Sequence, residues 1–137
     1  MIKKITQQLF ESFSKQDISF LRAKLTEDAT LTSDGGRTEI KGTDAIVSAV
    51  AMSFELVPDL QVEIKHLFVE GDYAIAEVVR TGNHAGTLRL PDGAEIKPTG
   101  NTVYLPEVII LKFSDDKIVK MSVYTDQLDT QKQLGML

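Results

Sequence analysis

The sequence contains no cysteine and no tryptophan, and only two histidines, His66 and His84. Without cysteine, the chain cannot form a disulfide, use a thiol nucleophile or hold a cysteine-ligated metal. Two isolated histidines do not form a pair at metal-binding spacing. Phosphate-cradling glycine loops and the glycines of a serine nucleophile elbow are also missing. Any enzyme chemistry is therefore predicted to be acid/base work by carboxylate, histidine and tyrosine, with no metal and no cofactor.

Positive charge and long apolar runs are also scarce. Lys and Arg number 15 against 20 Asp and Glu, so the formal net charge is −5. Because phosphate binding needs a basic face, we expect no nucleic-acid partner. No apolar run approaches the roughly 20 residues of a membrane span, and the N-terminus lacks the apolar core of a signal peptide. We expect a cytoplasmic protein with no membrane partner.

Helical periodicity marks the first part of the chain. The 137 residues suit one domain, 1–137, with a real core. Apolar residues recur at helical spacing from Ile2 to Phe13 and predict a first helix. Asp17 can cap a short second helix, which would carry Leu21 and Leu25. A short extended piece turns at 34–36 and returns, and Thr43 is the predicted N-cap of a third helix that ends at Pro58-Asp59.

The period changes to two after Pro58, which predicts strands. The predicted strands run over 62–68, 73–84, 102–113 and 118–125, with turns at Gly71-Asp72, Pro91-Asp92-Gly93 and Ser114–Lys117. The tail, 126–135, is predicted to be a helical turn closed by a glycine. Helices followed by hairpin-linked strands predict an α+β fold, in which three N-terminal helices pack on one face of a curled antiparallel sheet. Such a fold leaves a pocket between helices and sheet, where function is expected.

Asp126 stands at the end of the last predicted strand. As a functional group it would be a carboxylate at the pocket mouth, with its pKa raised by an apolar wall until it can take a proton from carbon. As a structural group it would be the N-cap of the terminal turn or a solvated strand end, since Asp is a favoured cap. The residue pattern alone leaves both alternatives open.

The two histidines lie in different settings. Glycines on both sides of His84 predict a bent or bulged strand. His84 could assist Asp126 as a donor or second acid/base, or it could bond backbone at the kink. His66 falls in the apolar phase with Val62 and Ile64, which favours a hydrogen-bonded interior residue over a role in the pocket.

Glu107 interrupts an otherwise apolar strand and shares its phase with Leu105 and Ile109. A carboxylate on an apolar face is functional, paired or near an edge, and the adjacent Pro106 favours an edge or a bulge. Glu77 and Arg80, on the preceding strand, could be surface or subunit-contact charges. Hydroxyls in a pocket could come from Tyr73, Tyr104 and Tyr124, although strand tyrosines mostly serve packing.

In its motifs the chain resembles the SnoaL-like polyketide cyclase family, within the nuclear transport factor 2-like superfamily. The resemblance runs nearly end to end and rests on the order and spacing of short motifs in the second half. These motifs are Pro58-Asp59, Gly71-Asp72, His84-Ala85-Gly86, Pro98-Thr99-Gly100, Lys117-Ile118-Val119, Asp126 and Gln133-Leu134-Gly135. The spacing from Ile118 to Asp126 and the closing Gln-Leu-Gly are its most specific parts.

The resemblance implies a cone-shaped α+β barrel with an apolar cavity, usually a homodimer through the sheet. In the family's cyclases the aspartate that matches Asp126 is the general base for an intramolecular aldol ring closure, and His84 matches a His-x-Gly position. Three departures concern the substrate, and one is that the segment between His84 and Pro98 is the longer version, 88–97. The family's usual Asp-Gly-Lys is Asp115-Asp116-Lys117 here, and Ser122 stands where the family often has tryptophan.

Three hypotheses follow. The first is a cofactor-free enzyme on a small apolar carbonyl compound, with Asp126 as base and His84 assisting, that catalyses aldol-type cyclisation, isomerisation or hydrolysis. The second is a non-catalytic protein that binds a small molecule in the same cavity. The third is a dimeric interaction domain whose cavity is filled by its own side chains.

Overall fold

The helices of the computed structural model, which describes residues 1–137, are α1 (Ile2–Ser14), α2 (Ser19–Lys24), α3 (Thr43–Leu56) and α4 (Gln127–Gln133). The spacing-based predictions of α1 and α3 are confirmed. Two details differ. Leu25 is the first residue of a strand rather than part of α2. Gly42 is the N-cap of α3, and the Thr43 hydroxyl instead donates to the Thr26 carbonyl oxygen at 3.0 Å.

Eight strands make two sheets. They are β1 (Leu25–Ser33), β2 (Thr38–Lys41), β3 (Gln61–Glu70), β4 (Tyr73–Asn83), β5 (Leu88–Arg89), β6 (Glu95–Ile96), β7 (Thr102–Ser114) and β8 (Lys117–Thr125). The main sheet has the order β2-β1-β8-β7-β4-β3, and β5 and β6 form a small hairpin beside it. All pairs in the main sheet are antiparallel except β1 with β8, which is parallel. The open, curled sheet with helices on one face is the α+β fold that the sequence predicts.

The main core lies between α1, α3 and the inner face of the sheet. Because side chains alternate along a strand, β7 sends Val103, Leu105, Ile109 and Leu111 to this face, and all four are buried. The helices meet them with aromatic rings. Phe13 contacts Phe10 edge to face at 5.8 Å between ring centroids and Phe54 at 5.9 Å. None of the helices is long and apolar enough to cross a membrane.

The outer face of the sheet carries large apolar side chains that nothing in the chain covers. Phe68 pairs in register with Ile75, and Ile75 pairs with Ile110, so the three share this face. Phe68 is 63% exposed and Ile75 is 38% exposed. Three tyrosines, Tyr73, Tyr104 and Tyr124, are exposed as well.

A bulge in β3 corrects the prediction for His66. The register with β4 shifts between Ile64 and His66, so Ile64 opposes the buried Val78 while His66 opposes Glu77. The extra residue turns His66 to the outer face. Its side chain is 65% exposed and its Nδ1 lies 2.7 Å from Glu77 Oε1. His66 is therefore neither interior nor part of a pocket.

Candidate functional site

A cavity of about 250 Å³ lies between α1, α3 and the inner face of the sheet. Eleven of its fifteen lining residues are hydrophobic, so its walls can hold an apolar molecule. The wall includes aromatic rings from both helices and aliphatic side chains from the sheet: Phe10, Phe13, Val50, Phe54, Leu31, Val62, Ile109, Met121 and Val123. This open space argues against the third hypothesis, in which the protein's own side chains fill the cavity.

Glu107 brings a carboxyl group to this apolar cavity. It sits in the middle of β7, where alternation turns it inward with Leu105 and Ile109, and only 6% of the residue is exposed. The bulge expected at Pro106 is absent, but the expected edge is present locally, because the pairing of β7 with β8 begins only at Glu107, opposite Thr125. β7 lies between β4 and β8, and its pairing with β4 runs without a break from Thr102 to Lys112.

Arg80, from β4, is the partner of Glu107 and the other charged residue in the cavity wall. Its Nη2 donates a hydrogen bond to Glu107 Oε2 at 2.8 Å. The side chains are 22% and 5% exposed, so the pair is largely withdrawn from water. This is the only hydrogen bond of the guanidinium, and its Nε–H is buried without a partner.

Burial raises the pKa of Glu107 above its ordinary value of 4.5, and the positive charge and hydrogen bond of Arg80 partly offset that rise. A carboxyl group with a raised pKa can exchange a proton closer to neutral pH than an ordinary glutamate can. A strongly desolvated carboxyl next to a specific charge partner in a cleft has the properties of a catalytic acid/base group.

Asp126 lies outside this cavity. It is exposed and is the N-cap of α4, where its Oδ1 accepts a hydrogen bond from the Asp129 backbone N–H at 3.0 Å. It borders an open depression on the outer face of the sheet, together with Lys65, Tyr104 and Tyr124. The two tyrosines of the sequence-based site thus lie with Asp126, in a depression that Glu107 also borders.

His84 belongs to a third place in the fold, just after β4. It is completely buried, and its ring contacts neither the cavity nor Asp126. Its Nδ1 accepts from the Thr99 N–H at 3.3 Å and lies 3.0 Å from the Thr99 hydroxyl. Its backbone bonds Asn101 and Gly100 on the same loop. The histidine therefore fastens the loop around Thr99 to the end of β4.

The environment of His84 also fixes its protonation. Burial lowers the pKa of His84 below its ordinary value of 6.5. Since Nδ1 accepts a hydrogen bond, the neutral ring carries its proton on Nε2, which is buried without a partner. Two residues on, Gly86 passes so close to α3 that a Cβ there would lie 1.6 Å from the Glu55 carbonyl oxygen. The His-x-Gly motif is thus explained here by close packing.

The structure separates the sequence-predicted residues into three places. Glu107 lines the inner cavity and also borders the outer depression, Asp126 and the tyrosines border that depression only, and His84 lies under a loop. Arg80 is the cavity residue that the sequence reasoning did not place there. Its signal was available, because Arg80 shares the inward phase of Ala76 and Val78 on β4. No group of three histidine, aspartate or glutamate side chains comes together that could ligate a metal ion.

The chain matches the model of the SnoaL-like polyketide cyclase family over residues 3–134. No curated protein matches it significantly. Solved structures resemble it over almost its whole length. AclR from Streptomyces galilaeus is 23% identical with a TM-score of 0.81, and the match covers 98% of this chain and 85% of AclR.

Two further structures give the same result. A SnoaL-like protein from Jannaschia sp. CCS1 is 20% identical, with a TM-score of 0.83 and coverage of 98% and 91% of the two chains. A protein with a ketosteroid isomerase-like fold from Catenulispora acidiphila, solved with trimethylamine, is 16% identical, with a TM-score of 0.77 and coverage of 100% and 96%. At these identities the likeness concerns the fold.

Proposed function

Because the chain belongs to the SnoaL-like polyketide cyclase family, we propose that it is a small-molecule enzyme that catalyses proton transfer at carbon without a cofactor. The reaction takes place in the cavity between α1, α3 and the sheet. Its substrate is a small apolar carbonyl compound. The single observation that carries this proposal is the desolvated Glu107 carboxyl group among apolar walls, hydrogen-bonded to Arg80.

Glu107 is the proposed base and Arg80 the proposed oxygen-directed donor. The carbon–hydrogen bond next to the carbonyl breaks, its proton moves to the Glu107 carboxylate, and its electron pair forms an enolate. The enolate oxygen accepts a hydrogen bond from the Arg80 guanidinium, which stabilises charge where it develops. In an aldol cyclisation the enolate carbon then attacks a second carbonyl of the substrate, and the new alkoxide takes the proton back from Glu107. In an isomerisation of a β,γ-unsaturated carbonyl compound, Glu107 returns the proton to the γ-carbon of the dienolate.

A rival assignment keeps Asp126 as base and His84 as its helper, as the family resemblance implies. It places the chemistry on the outer face, where Asp126 borders a depression with Tyr104 and Tyr124. We favour Glu107 because Asp126 is exposed and already bonds the α4 backbone. His84 is separated from both carboxyl groups in this arrangement and is bonded to Thr99.

Exchange of carbon-bound protons with deuterium oxide, followed by NMR, tests the two assignments. The probes are acetophenone and cyclohexanone, which have one ring and exchangeable protons beside the carbonyl. Wild-type protein is expected to accelerate exchange above the buffer rate. The Glu107→Gln change is expected to lower that acceleration about 100-fold or more, since a positioned base contributes about 10²–10⁴-fold. Asp126→Asn is expected to leave it unchanged.

The matched control is Glu95→Gln, because Glu95 forms an exposed pair with Arg89 at 3.4 Å on the separate hairpin. This variant should exchange like wild type. Loss of exchange in Asp126→Asn, with exchange retained in Glu107→Gln, would move the base to Asp126. Thermal unfolding of each variant separates loss of activity from loss of the fold.

A second candidate function is non-catalytic binding of a small molecule in the same cavity. It is favoured by the walls, which are mostly hydrophobic and need no titrating group to hold an apolar ligand. Saturable binding of acetophenone without any proton exchange above the buffer rate would support this function over catalysis.

Homodimerisation through the outer face of the sheet is part of the proposal. Its support is the set of exposed apolar side chains on that face, including Phe68 and Ile75. We also propose a single domain over 1–137, a cytoplasmic location and no nucleic-acid partner, the last from the net charge of −5.

A further inference from the structure

The guanidinium of Arg80 has more donors than the protein uses. Arginine carries five N–H groups, and only Nη2 is bonded, to Glu107. The Nε–H is buried and lacks any partner. An enclosed donor without an acceptor is unfavourable because it has lost its bond to water. The Nη1 group also makes no hydrogen bond in the protein but is not buried, so it can donate to a ligand oxygen in the cavity that Arg80 lines.

The size of the cavity limits the ligand. An apolar cavity of roughly 150 Å³ is known to hold benzene. Pockets for drug-sized molecules start at roughly 300 Å³. At about 250 Å³, this cavity lies between the two. It therefore fits one substituted ring and is too small for three or more fused rings.

The charges around the cavity come from two residues alone. The helices α1 and α3 contribute phenylalanines, Ala49, Val50 and Ser53 to the wall, and β1 contributes Leu31 and Ser33. Leu60 and the wall residues of β3 and β8 are apolar as well. No titratable group other than Arg80 and Glu107 lines the cavity. When Glu107 is protonated, the charge of Arg80 has no counter-ion in the cavity.

We propose that the cavity selects a single-ring compound with one anionic oxygen group, a carboxylate or an enolate, that replaces Glu107 as the acceptor for Arg80. Glu107 takes up one proton from solvent as the anion binds, so the net charge of the cavity is the same before and after binding. This inference rests on the proposed use of the cavity as the ligand site, and it holds for an enzyme or a binding protein.

Proton uptake makes anion binding depend on pH. Before binding, Glu107 is the anion that faces Arg80, and afterwards the ligand is. Because one proton enters with each ligand, affinity increases up to about tenfold for each pH unit of acidification while Glu107 titrates. A neutral ligand of the same shape leaves Glu107 bound to Arg80 and shows no such dependence.

Calorimetric titration with three probes tests the inference. They are 4-methylbenzoate, its neutral analogue 4-methylbenzamide and the three-ring anthracene-2-carboxylate. We expect 4-methylbenzoate to bind at least tenfold more tightly than the other two. Its affinity should increase as the pH falls from about 9 to about 5.5, a range in which the probe itself stays ionised. Titrations in two buffers of different ionisation enthalpy count the protons taken up.

Two variants of the cavity residues and two control variants on the hairpin complete the experiment. In Glu107→Gln the binding of 4-methylbenzoate should become independent of pH, and in Arg80→Gln its advantage over the amide should disappear. Arg89→Gln and Glu95→Gln change the exposed Arg–Glu pair of the hairpin and should behave like wild type. The wild-type measurements stand without the variants if either cavity variant fails to fold.

The inference is overturned if wild-type protein binds the benzoate and the benzamide alike, if it binds the three-ring acid as tightly, or if anion binding is independent of pH. Failure of the proposed enzyme function looks different. In that case 4-methylbenzoate binds with proton uptake, while acetophenone and cyclohexanone exchange no protons above the buffer rate.

Discussion

His84 is a buried histidine whose pKa is lowered by burial, so it should make stability depend on pH. Its pKa is lowered in the folded protein by burial, while in the unfolded chain it returns to about 6.5. Between these two values the unfolded chain binds more protons, so stability falls as the pH falls. Protonation would also place a proton on Nδ1, which accepts a hydrogen bond from the Thr99 N–H.

We expect the His84 contribution to the free energy of unfolding in urea to decrease as the pH is lowered below about 6.5, by up to about tenfold in the unfolding equilibrium constant for each unit. The raised pKa of Glu107 contributes in the opposite sense, so the His84 contribution is the difference between wild type and His84→Gln. In His84→Gln this part of the dependence should vanish, because glutamine does not titrate. His66→Gln is the control, because His66 lies on the outer face and its side chain is 65% exposed. An equal slope in wild type and His84→Gln would contradict the prediction.

Single residues also show how much of the site can be predicted from the sequence. Strand alternation was sufficient to turn Glu107 inward. The same alternation turns Arg80 inward, but its pairing with Glu107 depends on the register of β4 with β7, which no local pattern encodes. His66 was assigned the wrong face, since one extra residue in β3 reverses the phase and leaves no composition signal.

At the scale of elements, the strongly periodic segments and the hairpin pairings of consecutive long strands were predictable, and the pairing between distant strands was not. Local spacing and turn residues defined α1, α3 and the long strands. The parallel pairing of β1 with β8 joins Leu31 to Met121, and no local pattern encodes a contact across such a separation. That pairing, with β7 next to β8, brings the β1 residues Leu31 and Ser33 to the same cavity as Glu107.

The short helix α4 offers a test of Asp126 as a structural residue. Its side chain accepts the Asp129 N–H, one of the donors that a helix start leaves without a partner. Asn caps as well as Asp, whereas Ala does not. We expect Asp126→Ala to lower the free energy of unfolding by about 1 kcal/mol and Asp126→Asn to leave it almost unchanged.

Chemical denaturation of both variants measures their free energies of unfolding. The proton-exchange assay then tests whether Asp126 also has a chemical role. A capping role alone predicts full exchange in Asp126→Asn. If Asp126→Asn is as stable as wild type but does not exchange protons, Asp126 has a chemical role beyond the cap. Equal stability of Asp126→Ala and wild type would remove the capping role.

At the scale of the whole molecule, helices cover only one face of the sheet. The inner face is covered by α1 and α3, whereas the outer face presents Phe68, Ile75, Tyr73 and Tyr124 to solvent. Sheets are stable when each apolar face is buried, and a contiguous exposed apolar patch marks an interaction surface. A second copy is the proposed cover because the same patch on two chains is self-complementary about a two-fold axis.

Ile75 lies in the row that joins Phe68, Ile75 and Ile110 across three strands, so a charge there would be buried in the proposed interface. We expect Ile75→Glu to be a monomer by sedimentation velocity at concentrations where wild type is a dimer, because two like charges would be buried together. Leu128→Glu is the matched control, since Leu128 is 57% exposed on α4. It should remain a dimer. A wild-type monomer would contradict the proposed dimer, and a dimer that Ile75→Glu leaves intact would place the interface elsewhere. Retained binding of 4-methylbenzoate by the monomeric variant would show that the inner cavity is complete within one chain.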